Sequence, residues 1–166
     1  SPIHGGSIIG FVGHPGVRPA SERLERMRLQ ERESACNDIE AYLAFAKRVQ
    51  EVKARDVAYL RGARAAGKRI FGFGAPVKGN TLLNFFGIGP DVIECLVEKN
   101  ELRRDLYSPG MHIPIRMESE IDVPPDIYYV LAWNFKNEIL ANNRALVERA
   151  LRWGNRRRIS HSEVLQ

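Results

Sequence analysis

Three short apolar runs constrain this chain most: residues 69–73 (RIFGF), 92–97 (VIECLV) and 127–133 (IYYVLAW). Each has the length and the β-branched or aromatic content of a buried strand. The first leads through a glycine-rich turn into a helical pattern at Leu82, Leu83, Phe85 and Phe86. The third leads into a helix that Asn134 would cap and Gly154 would stop, just after Trp153. Strands alternating with helices predict an α/β fold, with a mostly parallel sheet and helices on its faces.

Ahead of the sheet lies a long helical stretch. Residues 34–66 hold no proline and no glycine before Gly62, and Ile39, Leu43, Ala46, Val49, Val52, Val57, Leu60 and Ala63 recur at helical steps. Ser34 is read as its cap and Gly67 as the left-handed residue that ends it. The pattern predicts an amphipathic helix laid along the sheet or along a neighbouring domain. Its repeat is too short and too interrupted for a coiled coil. Upstream, residues 7–12 (SIIGFV) read as an edge or isolated strand closed by the turn residues 13–19 (GHPGVRP).

With 166 residues, one α/β domain with short ends is expected. It covers residues 1–155, and 156–166 form a basic tail. The net charge of +5 comes partly from Arg156, Arg157 and Arg158. No aromatic residues interleave with these arginines, so nucleic acid is not an expected partner. Cys36 and Cys95 are the only cysteines and lie far apart, which suits a reducing cytoplasm and suggests neither a disulfide framework nor a zinc ribbon. His4, His14 and His161 are scattered and support no metal site. No apolar run reaches membrane-spanning length, and residues 1–18 lack a signal core. The start at Ser1, without methionine, points to processing or to a longer parent.

In a sheet of this kind ligands lie beyond the carboxyl ends of the strands. Three places there carry chemistry. The first is the turn from Gly72 through Gly74, Lys78, Gly79, Asn80 and Thr81, where glycines bring amides close to a ligand and the following helix favours an anion. It is neither a Walker loop nor a dinucleotide fingerprint. Such a turn is as often structural as ligand-binding, and Lys78 with Asn80-Thr81 tips it toward anion binding. The second is Glu98, which could receive ribose hydroxyls or pair with Lys99, Arg103 and Arg104. The third is Trp133-Asn134 with Glu138 one helical turn on, where Trp133 could stack on a flat ring or simply belong to the core beside an Asn cap.

These segments resemble the C-terminal domain of the sugar C-methyltransferase family. The resemblance is carried by residues 74–84 (GAPVKGNTLLN), 109–115 (PGMHIPI) and 132–135 (AWNF) with Glu138-Ile139, and by His4-Gly5-Gly6-Ser7 at the start. Departures are Glu98 for a common Asp, Arg103-Arg104-Asp105 for Lys-Gln-Gly, and 154–159 (GNRRRI) for a closing Gly-Gly-x-Phe strand. They bear on ligand preference more than on fold.

The resemblance implies an α/β, Rossmann-like, mostly parallel sheet with helices on both faces, preceded by a long amphipathic helix. It also implies a parent enzyme in which zinc and S-adenosylmethionine are bound outside this chain, and this domain helps hold a nucleotide-linked keto-sugar. The partner within the parent is the methyl-donor domain. Family chemistry removes a proton beside the sugar ketone, and the resulting enolate attacks the donor methyl. No catalytic residue and no metal ligand carries over. The residues implied for substrate binding are Gly74, Lys78, Gly79, Asn80, Thr81, Pro109, His112, Trp133, Asn134 and Glu138. The rival readings are a stand-alone nucleotide- or acyl-carrier-binding module and a docking domain that binds no ligand.

Overall fold

The structure is a computed structural model that describes residues 7–132 and 135–142. The chain divides into two compact units, Ser1–Asp56 and Val57–Gln166.

The first unit holds helix α1 (Glu22–Glu33) and the start of α2 (Ile39–Ala65). Ser21 caps α1 by accepting from the Leu24 amide at 3.3 Å, and Glu22 and Glu25 occupy its first turn. Sequence reading missed α1 because its twelve residues, ERLERMRLQERE, bury nothing and carry no apolar stripe. Ser34 is not the start of the long helix. It closes α1, its amide bonding Gln30 O and its hydroxyl bonding Glu31 O at 3.0 Å. A turn with Ala35 at φ 50° then leads to Ile39. Residues 7–12, expected as a strand, form none. Ile8, Ile9, Phe11 and Val12 are exposed and no described strand pairs with them.

The second unit starts within α2, of which only Leu60 is buried. The helix ends as expected at Gly67, with φ 78°, and the Lys68 amide reaches back to Ala63 O at 3.0 Å. Four strands follow: β1 (Ile70–Phe73), β2 (Cys95–Glu98), β3 (Ile115–Met117) and β4 (Ile127–Val130). They lie in the order β3-β2-β1-β4 and every pair is parallel. Helix α3 (Val77–Phe86) links β1 to β2, and α4 (Lys136–Asn142) follows β4. Parallel neighbours need such crossovers, because a hairpin can only reverse direction. The fold is the expected α/β, Rossmann-like sheet preceded by a long helix.

The core gathers Ile70 and Phe71 from β1, Leu83 and Phe86 from α3, Ile93, Leu96 and Val97 around β2, and Ile113 and Met117 around β3, all buried. Some boundaries shift. The second strand begins at Cys95 rather than Val92, since the amides of Val92 and Ile93 both turn onto Gly89 O at 3.0 Å. The third apolar run is strand only to Val130, although the Leu131 amide still bonds Phe73 O at 3.1 Å. Strand β3 was not expected: three residues, Ile-Arg-Met, are too short to show a period.

The order of strands positions the site. From β1 the chain steps outward to β2 and β3, then returns to the other side of β1 as β4. The reversal leaves a crevice between β1 and β4 at their carboxyl ends, the usual place for a ligand in an open α/β sheet.

Candidate functional site

A cavity of about 320 Å³ opens at this reversal. Its walls come from every strand end around it: Phe73, Gly74, Ala75 and Pro76 after β1, Val97 and Glu98 of β2, Ala132 after β4, and Phe135 and Ile139 beyond it. Lys99, Arg103 and Glu118 complete the lining. The surface is apolar with a few charged groups, as small-molecule sites generally are.

The turn that forms one wall is fixed by its bonds. Gly74 has φ 81°, a conformation that suits glycine, and its amide bonds Val97 O at 2.8 Å. Pro76 stands at the cap of α3 without a side-chain acceptor for the first turn. The helix therefore points uncapped amides toward the turn, a weakly positive end that favours anions.

Glu98 and Arg103 hold that turn in place. One Glu98 carboxylate oxygen accepts from the Ala75 amide at 3.2 Å and from Arg103 Nη1 at 3.5 Å, and the other accepts from the amides of Lys99 and Asn100 at 2.8 and 3.2 Å. Arg103 Nη1 also donates to Ala75 O. Of the two readings offered for Glu98, the geometry shows the paired one for Arg103 alone, since the Lys99 ammonium goes to Glu118 and Arg104 to Glu101 and Glu120, and the Glu98 oxygens have little capacity left for hydroxyls.

Of the described residues expected to bind substrate, only Gly74 lines the cavity. Lys78 is exposed, the second residue of α3. Gly79 is buried, and a Cβ there would stand 2.9 Å from Leu131 Cβ, so its small size serves helix-to-sheet packing. Thr81 bonds its own helix, Oγ1 to Val77 O at 3.3 Å. His112 is exposed with φ 55°, and Glu138 is exposed on α4. Trp133 and Asn134 lie outside the described residues, as do the basic tail and the far end of the last expected helix.

Asn80 and Pro109 meet through a residue that carried no assigned role. Asn84 Nδ2 donates to Asn80 O at 2.8 Å and to Pro109 O at 2.9 Å. The two motif segments are thereby tied together along the flank of α3. Gly110, at φ 81°, has no room for a side chain against the Asn84 amide. Asn80 Oδ1 is buried there and has no hydrogen-bond partner among the described residues.

Sequence reasoning also missed Phe73, Arg103, Phe135 and Ile139 as lining residues. Their signal was position: Phe73 ends β1, Arg103 follows β2, and Phe135 and Ile139 follow β4. Cys95 on β2 is not a nucleophile: burial pushes its thiol up to about 11. Burial likewise raises Tyr128, which packs edge-on against Phe71 and Phe73. Among the described residues no group of His, Cys, Asp or Glu side chains could hold a metal ion. No helix among them is long and apolar enough to cross a membrane.

A parallel sheet with one topological reversal, a glycine turn wired to the next strand and an open crevice above both define a Rossmann-like α/β domain. Residues 2–154 match the family described as the C-methyltransferase C-terminal domain, and this chain belongs to it. It is 35% identical over 151 residues to C-methyltransferase NovU of Streptomyces niveus, an alignment that takes in 88% of this chain and 35% of that protein. The chain thus spans about a third of the length of that relative.

Proposed function

We propose that this chain is the substrate-side domain of an S-adenosylmethionine-dependent sugar C-methyltransferase, and that its cavity holds part of a nucleotide-linked keto-sugar. The observation that carries this reading is the cavity at the β1/β4 reversal, walled by the glycine turn on which the family resemblance was first noted. Its volume of about 320 Å³ suits one portion of such a ligand, a ring with an adjoining phosphate, rather than the whole. The remainder is held by the methyl-donor domain of the parent, which also supplies the base and the donor site, with zinc bound by a separate N-terminal segment.

On this reading the turn at Gly74 and the first amides of α3 face the diphosphate, with Lys78 adding positive charge from the rim. Trp133 and Asn134, which stand between the lining residues Ala132 and Phe135 in sequence, contact the nucleotide or sugar. Gly79, Asn80, Thr81, Pro109, His112 and Glu138 support these contacts. A carbon nucleophile arises only beside a carbonyl, where proton loss gives a stabilised enolate. The domain's contribution is to orient the keto-sugar so that this carbon faces the donor methyl, a positional effect that can be large.

Titration of the chain with a thymidine or uridine diphosphate sugar, in parallel with S-adenosylmethionine, tests the proposal. Saturable binding of the sugar nucleotide and none of the donor is expected. Tight donor binding, or no sugar-nucleotide binding, would refute it. A second reading, a docking module that binds no ligand, draws on the exposed Ile39, Tyr42, Leu43 and Phe45 of α2. It would gain if cavity substitutions left the parent enzyme unaffected.

A further inference from the structure

Among the described residues four charged side chains line the cavity, and their partners set them apart. Lys99 Nζ pairs with Glu118 at 3.1 Å. Glu98 is surrounded by three amides and Arg103. Arg103 differs from both: its bonds to Ala75 O and to Glu98 leave from Nη1 alone. Among the described residues its Nη2 and Nε take no protein partner, and 36% of the side chain is exposed.

A guanidinium pinned at one nitrogen keeps its plane, and its remaining N–H groups are spaced to meet two oxygens of a phosphate at once. Because it is already held, little side-chain freedom is lost when an anion arrives. The carboxylate beside it does not cancel this, since the amides of Ala75, Lys99 and Asn100 point their positive ends at Glu98. Ala75 further links Arg103 to the entrance of α3, so guanidinium and helix end sit at a fixed spacing on the same peptide.

We propose that Arg103 is the anion-recognising residue of the cavity, donating to phosphoryl oxygens of a diphosphate ester, and that Glu98 is the positioning residue that aims it. This rests on the reading of the cavity as a sugar-nucleotide site and names the contact on which its affinity depends. Lys78, exposed and off the lining, acts through longer-range charge.

The test is an NMR titration of the isotope-labelled chain with thymidine diphosphate, inorganic pyrophosphate and neutral thymidine. Arg103→Gln is expected to weaken both phosphate-bearing probes about tenfold or more, the scale of charge-assisted bonds. It should leave thymidine unaffected and flatten the salt dependence of binding. Arg103→Lys should recover part of the loss, and Lys78→Ala should cost no more than about threefold. Glu98→Gln should weaken the phosphate probes but not thymidine, a split that a purely structural role would not give. Should Arg103→Gln fold poorly, the side-chain Nε–H resonance of Arg103 in the unmodified chain must still shift on adding pyrophosphate. Diphosphate binding that ignores Arg103 overturns this inference and leaves the sugar-nucleotide reading standing. Pyrophosphate binding at Arg103 with no gain from the nucleoside supports the inference and sinks that reading. No binding of any phosphate probe sinks both.

Discussion

Gly79 offers a quantitative test of which residues in the glycine turn serve packing. It lies inside α3, where alanine would normally be preferred over glycine by about 1 kcal/mol. Here the added Cβ would stand 2.9 Å from Leu131 Cβ and 3.2 and 3.3 Å from the Pro76 ring carbons. None of these atoms is the end of a flexible chain. Leu131 Cβ is fixed to buried backbone beside β1, and Pro76 is a ring at the helix cap. Overpacking of this kind costs about 1–3 kcal/mol, so Gly79→Ala should be destabilising by up to about 2 kcal/mol after the propensity gain. At a few degrees per kcal/mol for a chain of this size, the melting temperature should fall by up to roughly 8 °C. The internal control is Gly62→Ala in α2, where nothing lies within 4 Å of the new methyl. That variant should gain about 0.5–1 kcal/mol. Urea unfolding of both variants against the parent chain reads the difference. If Gly79→Ala exceeds the stability of the parent, the contact with Leu131 does not constrain the helix and the packing argument fails. If Gly62→Ala is destabilising, the propensity arithmetic fails with it.

Other consequences follow from single contacts. Asn84→Ala removes the bonds to Asn80 O and Pro109 O and should cost about 1–2 kcal/mol in denaturant titration. Gly110→Ala should cost at least as much, since it must leave φ 81° and displace Asn84. Asp126 accepts from the Arg69 amide and from Lys68, which hold its pKa below the ordinary 3.8. Its contribution to stability is complete above the unfolded value and is lost as pH falls through the lowered folded one. The stability gap between the parent chain and Asp126→Asn should therefore close in acid below about pH 3.8, and a gap that persists unchanged there would refute the assignment. In a thiol-reagent assay at mildly alkaline pH, exposed Cys36 should react at once and buried Cys95 only on unfolding. Two fast thiols would contradict the buried placement.

What the sequence revealed and what it hid divide along a physical line. Residues 69–73 were legible as a strand because four apolar or small residues in a row have few other uses in a chain of this length, and β1 matches them almost residue for residue. The long helix was legible from apolar residues recurring at helical steps over 27 residues. Its start was not, because Ser34 can cap a helix or end one, and only the hydrogen bond from its amide to Gln30 O decides. Helix α1 was hidden because its stability is local, drawn from a cap and from pairs such as Glu25–Arg28 at 2.9 Å, with no apolar face to betray it. At the site, the glycine turn could be found by its position after a strand, but the role of each glycine could not. Gly74 needs its positive φ, Gly79 needs its small volume, and the two demands look identical in one-letter code. Arg103 was read only as a neighbour that could pair with Glu98, because an arginine in a loop after a strand is common. Its partner Ala75 lies 28 residues upstream, a separation that no local pattern reports.

The two edges of the sheet show why Arg103 is read differently from the other arginines that touch carboxylates. At the amino edge, Arg69 sends Nε and Nη2 to Glu94 at 3.3 Å and Nη1 to Val123 O at 3.5 Å, and its guanidinium lies 5.1 Å from the centre of the Phe71 ring. Arg64 adds a third bond to the same Glu94 at 2.9 Å, and Lys68 with the Arg69 amide completes Asp126. Each of these donors meets a protein acceptor, and none of the three residues lines the cavity. That edge ties the starts of β1, β2 and β4 together. At the carboxyl edge the same kind of pair is left incomplete on the side of the cation. Glu98 has four donors around it, while Arg103 uses one nitrogen of three and lines the cavity. A pair that existed only to fasten the turn would be expected to spread its bonds over the guanidinium, as Arg69 does with Glu94 and Val123 O, whereas Arg103, like Arg64 at the amino edge, bonds through Nη1 alone and, unlike Arg64, lines the cavity. The asymmetry makes sense when the missing acceptor is supplied from outside the protein, at the one place in a parallel sheet where the strand order leaves room for it.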